Sequence, residues 1–148
     1  MRGLPAALAF TEEALATQLD PSDTIMARIL LGQLLIYLDS ANMRQFQRTA
    51  ELLGKVGERS GLSVSLSWTN LALGMTAYEY NDLPLAETCV RRVTTAPHYG
   101  NGRAAYESFL TLALTLEAMG EPAAAEASLT QLREFLLEAD YAAALTLV

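Results

Sequence analysis

The stretch TLEAMGEPAAAEASL, Thr115 to Leu129, decides the fold. Both flanks are strong helix formers, yet the pattern breaks for two or three residues at Gly120-Glu121-Pro122 and then resumes. So short a break forces two helices back to back. Thirty-nine residues upstream the chain does the same in AYEYNDLPLAETCV, at Asn81-Asp82-Leu83-Pro84. Gly and Asn most readily take the left-handed conformation that ends a helix. Asp82 is placed to cap the next helix, and Pro84 and Pro122 suit a first turn, where no N–H donor is needed.

The register around the breaks agrees. Leu73 and Leu112, Gly74 and Ala113, Ala86 and Ala125, Val90 and Leu129, and Val93 and Leu132 each stand 39 apart. Leu4-Pro5 precedes Leu83-Pro84 by 79, which aligns Ala7 with Ala86. The middle copy is poorer. A shift of 40 sets Ala50 at Val90 and Leu53 at Val93, but it sets Phe46 at the small Ala86. Its turn, Asp39-Ser40-Ala41-Asn42, keeps an Asn one place late.

Helices are therefore expected near 4–19, 23–38, 43–60, 63–80, 83–96, 103–119 and 122–139, with an eighth beginning near 141. Asp20-Pro21-Ser22, Asn42, Gly61, Asn81-Asp82, the run from Pro97 to Gly102, and Gly120-Glu121 separate them. No stretch alternates with period two, so no sheet is expected. The expected fold is all-α, a right-handed α-α superhelix of antiparallel helix pairs forming one domain over 1–148. Gly74 and Ala113 on first helices would meet Ala86 and Ala125 on second helices, letting the axes approach. Leu73, Val90, Leu112 and Leu129 would fill the space around them.

Composition narrows the function. The chain has 148 residues, is 51% hydrophobic and carries a net charge of -7. Such acidity repels phosphate backbones and argues against direct nucleic-acid binding. One Cys excludes an internal disulfide and fits a reducing cytoplasm. No apolar run reaches the roughly 18 residues that a membrane span needs. The opening MRGLPAALAFTEEALATQLD is interrupted by Glu12 and Glu13 and reads as an amphipathic helix, not a signal peptide. Helix begins almost at Met1 and YAAALTLV still reads as helix, so a fragment of a longer protein is expected.

The pattern Leu73-Gly74, Asn81-Asp82, Ala86 and Val90 resembles the tetratricopeptide repeat, and Leu112-Ala113, Gly120-Glu121, Ala125 and Leu129 repeat it. The chain departs in its period of 39 or 40 instead of 34, and in Asn70 and Phe109 at the consensus Trp. The phrases GLPAALAFTEEAL and HYGNGRAAYESFLTLALTLEAMGEPAAAEASL resemble the sensor region of MalT-like, LuxR-type ATP-dependent transcription regulators. The resemblance spans nearly the whole chain. It implies a non-enzymatic sensing and interaction module without cofactor or metal. Its partners would be a protein, peptide or small-molecule effector and the other domains of the regulator, with self-association a further expectation. In that family an ATPase module precedes the region and a helix-turn-helix follows it; neither is in this sequence. The alternative is a free-standing repeat scaffold that holds two proteins together.

The resemblance also implies where a ligand sits, because first helices line the concave surface of such solenoids. Trp68, Leu71, Met75, Tyr78 and Glu79 form a stripe on one first helix, and the next offers Glu107, Leu110, Leu114 and Glu117. An aromatic, Met-containing surface with carboxylates suits a peptide, a helix or a small effector. The competing reading is plain core. A second candidate is the loop bearing His98, Tyr99 and Asn101. GNGRAA, Gly100 to Ala105, fits a dinucleotide fingerprint only if a strand precedes it. His98, the sole His, has no second His or Cys pair to form a metal site. Cys89 falls among Ala86, Val90 and Val93 and reads as buried packing. Arg44, Arg48, Lys55 and Arg59 form a stripe that could meet DNA or an acidic module. The interleaved Glu51 and Glu58 suggest instead a salt-bridged outer face. Glu12, Glu58 and Glu134 read as solvated helix faces.

Overall fold

A computed structural model describes residues 3–17 and 22–138. The helices are α1 (Gly3–Thr17), α2 (Asp23–Asp39), α3 (Met43–Ser60), α4 (Ser63–Glu79), α5 (Leu83–Thr94), α6 (Gly102–Ala118) and α7 (Pro122–Glu138). A 3-10 turn, Pro97–Tyr99, lies between α5 and α6, and there is no strand among the described residues. The expected eighth helix lies outside the described residues. The helix α5 stops two residues short of expectation, because the chain is already turning through Thr95 and Ala96 into Pro97–Tyr99.

One turn is used three times. Ala41, Asn81 and Gly120 are all left-handed, with φ of 53°, 60° and 80°. At each, the backbone N–H donates to the carbonyl three residues back, on Leu38, Tyr78 and Glu117, at 2.9–3.0 Å. The next N–H donates five residues back, Asn42 to Tyr37, Asp82 to Ala77 and Glu121 to Leu116, at 2.8–2.9 Å. These paired bonds satisfy the carbonyls that a helix end leaves open. The Asn that stands one place late therefore has a different task. Asn42 caps α3 by accepting from the Gln45 N–H at 3.3 Å, as Asp82 caps α5 by accepting from Leu85 at 3.3 Å. The left-handed position falls on Ala41.

The helices pack in chain order, α2 on α3, α4 on α5 and α6 on α7, with α3 on α4 and α5 on α6 joining the pairs. The first helices also meet one another, α2 with α4 and α4 with α6. Within the second pair, a Cβ built on Gly74 would stand 2.5 Å from Val90 Cγ1 and 3.3 Å from the Ala86 carbonyl oxygen. The small positions face each other at van der Waals contact, as their spacing requires. In the first pair the volume is redistributed. Leu34 and Phe46 stand where Gly74 and Ala86 do, Ala50 replaces Val90, and all three are buried.

Leu129 departs from expectation. Its counterpart Val90 is 0% exposed, whereas Leu129 is 36% exposed. Val90 is packed against Leu112 and Leu116 of α6, and no described helix covers the α6–α7 pair in the same way. No helix among the described residues is long and apolar enough to cross a membrane.

Candidate functional site

The nine candidate groove residues divide by depth. Trp68 and Leu71 are 4% and 1% exposed and belong to the core cluster of Leu34, Phe46, Leu53 and Ala104. They lie beneath the surface, where the plain-core reading placed them. Met75 and Tyr78 are half-buried on α4, and Glu79 is exposed beside them. On α6, Glu107 and Leu110 are half-buried, Glu117 is exposed, and Leu114 is 56% exposed. Leu110, Leu114 and Glu117 come together with Ala113, Ala125 and Leu129 around an open, mostly apolar concavity of about 310 Å³.

A roof over Trp68 was not singled out in the sequence. The Arg103 guanidinium carbon lies 5.8 Å from the Trp68 ring centroid, within cation–π range. Arg103 Nε also donates to Glu107 Oε1 at 2.6 Å. That hydrogen bond, with the charges of Glu107 and Asp39, pushes the guanidinium further above its ordinary range. Glu107 is thus an anchor for Arg103 as well as a candidate groove residue. The Trp68 indole Nε1 is buried and has no hydrogen-bond partner. The i,i+4 spacing of Arg103 and Glu107 was the available signal, but nothing local to the sequence places them over α4.

No protein-family model, no curated protein and no solved structure matches the chain. The site is therefore read from its own residues, including the remaining candidates. GNGRAA lacks the preceding strand that a dinucleotide site needs, since α5 and the 3-10 turn stand there. Asn101 caps α6 instead, accepting from the Arg103 and Ala104 N–H groups at 3.0 and 3.3 Å. Gly100 is required by proximity, because a Cβ there would land on the Ser67 side chain of α4.

His98 is exposed on the 3-10 turn. Its Nε2 lies 3.6 Å from Glu138 Oε2, and its ring centroid is 5.3 Å from that of Phe135. The contact ties the turn to α7. Cys89 is buried, and burial pushes its thiol pKa up, which leaves little thiolate to react. Thr49, Cys89 and Ser128 are 40 and 39 residues apart at equivalent places on α3, α5 and α7, and all three are buried. Ser128 Oγ donates to the Phe109 carbonyl at 3.1 Å. This is a position for a small side chain.

On α3, Arg44, Arg48, Lys55 and Arg59 are all exposed. Arg59 pairs with Asp23 of α2, with Nε donating to Oδ2 at 3.0 Å, rather than along its own helix. The bond holds the Asp23 carboxyl below its ordinary range. Glu51 accepts from Gln47 at 3.2 Å.

Proposed function

We propose that this chain is a non-enzymatic binding and sensing module. In this reading it is a right-handed superhelix of helix pairs, the sensor region of a MalT-like, LuxR-type transcription regulator working in the cytoplasm. The observation that carries it is the threefold use of one turn at 39–40 residue spacing, with α2, α4 and α6 in successive contact. Repetition of that kind builds an extended surface from equivalent positions rather than one closed pocket.

The groove runs over Met75, Tyr78 and Glu79 of α4 and Leu110, Leu114 and Glu117 of α6, with the Arg103–Glu107 pair beside it. Trp68 and Leu71 support this surface from below and do not touch the ligand. Apolar side chains rimmed by carboxylates suit a peptide, a protein helix or a small effector that combines apolar surface with positive charge. Occupation would favour one arrangement of the stacked pairs and shift the parent protein between inactive and assembled states. The shift can be no larger than the difference in affinity for the two states.

Sequencing the reading frame on both sides and assaying the full protein tests this. A nucleotide-binding module upstream and a helix-turn-helix downstream are expected. In a reporter assay, Tyr78→Ala and Leu114→Glu should shift the effector response at unchanged helical circular dichroism, and His98→Ala should not. A frame with neither module, ending soon after Val148, would replace the regulator with a free-standing scaffold.

A further inference from the structure

The α2–α4 junction is open where the α4–α6 junction is filled. Between α4 and α6 the space holds the Trp68 indole, 4% exposed, in one core cluster with Ala104 and within cation–π range of Arg103. Shifted back by 39 or 40 residues, the positions of Trp68, Ala104 and Arg103 are Arg28, Ser65 and Val64. The ring is gone, and an open, mostly apolar pocket of about 220 Å³ lies between α2 and α4. It is lined by Ala27, Arg28 and Leu31 of α2 and by Leu62, Val64 and Ser65 at the start of α4. The glycines of the two junctions differ in the same sense. A Cβ on Gly100 would land on the Ser67 side chain, whereas a Cβ on its counterpart Gly61 would meet nothing within 4 Å. The α2–α4 junction is also the looser of the two.

Size and charge point to the occupant. A cavity of about 150 Å³ takes benzene, so this one admits a fused pair of rings, as the next junction admits an indole. Arg28 is exposed and forms no ion pair among the described residues. Its neighbours one turn away on α2 are Thr24, Ile25, Leu31 and Gly32, so its own helix offers no carboxylate at that spacing. Asp23, one turn further back, is held by Arg59 of α3. Arg103, by contrast, has Glu107. A guanidinium can stack on an aromatic face or donate to both oxygens of a carboxylate.

We propose that the α2–α4 junction binds a small aromatic carboxylate, its fused rings seated where the next repeat seats Trp68 and its acid group held by Arg28. The pocket has room for one ring system, which selects a small molecule over a chain segment. This site is separate from the groove over α4 and α6, and either can fail alone.

Calorimetric titration of the full chain with indole-3-acetate, acetate and N-acetyltryptophanamide tests it. Indole-3-acetate should bind with a Kd below about 1 mM, and the other two about tenfold more weakly or less. Methyl NMR should place its shifts at Leu31, Leu62 and Val64. Arg28→Gln should weaken indole-3-acetate about tenfold. Arg28→Trp should fill the space from within, raise the unfolding midpoint by roughly 3 °C or more and abolish binding. No binding, equal binding of acetate, unchanged affinity in either variant, or shifts at Leu114 and Leu129 instead would overturn the proposal. So would equally tight N-acetyltryptophanamide, which would make the occupant an aromatic side chain of a partner protein.

Discussion

Ala41 is the residue at which the repeated turn is least well served. It occupies the position of Asn81 and Gly120, with a φ of 53° that its Cβ opposes. The left-handed conformation costs an ordinary residue about 1–2 kcal/mol, more than the extra backbone entropy of about 0.5–1 kcal/mol that a glycine loses relative to alanine. Ala41→Gly should therefore stabilise the protein by up to about 1 kcal/mol. A higher urea midpoint at unchanged slope is the measurement. The position was hidden in the sequence because Asn42, the natural candidate, stands next door. The backbone bonds from Ala41 and Asn42 decide the matter, and they depend on where α2 ends rather than on which residue prefers to be left-handed.

Between elements, the second pair is held at contact distance by Gly74. A methyl group at that point would meet Val90 Cγ1 at 2.5 Å, and a larger side chain has nowhere to go. Gly74→Leu should gain about 1 kcal/mol of helix propensity and lose about 1–3 kcal/mol by overpacking, for a net loss. Adding Val90→Ala should recover part of it, so a double-mutant cycle should show coupling between the two sites. This much was legible beforehand, because Gly74 with Ala86 and Ala113 with Ala125 repeat at one spacing on either side of a short break. The end of α5 was less so. Pro97 marked a break, but Thr95 and Ala96 carry no stop signal, and the turn through them into Pro97–Tyr99 leads to Gly100, which lies close against Ser67 of α4. Leu129 misled for another reason: its spacing gives its position on α7, and whether that position is covered depends on what packs next.

At the scale of the molecule, the candidate groove was legible as a face but not as a depth. Residues three and four apart share a side of a helix. A first helix in a stack, however, has one flank against its own partner and another against the neighbouring first helices. The stripe from Trp68 to Glu79 therefore mixes buried and open positions. Stability should separate them. Trp68→Ala should cost about 3–5 kcal/mol, as a buried aromatic truncation does. Tyr78→Ala, from a half-buried site, should cost less than half of that in denaturation followed by circular dichroism. Equal losses would put Tyr78 in the core as well and remove it from the groove. The order of contacts also bears on how the chain is made. Each helix packs mainly on its immediate neighbours in the chain, before or after it. A ribosome adding about 5–20 residues per second takes roughly 2–8 s to extend one pair. Helical proteins dominated by local contacts fold in microseconds to milliseconds. Each pair can therefore close before the next is finished, and the apolar face it leaves behind waits only seconds for the helix that covers it.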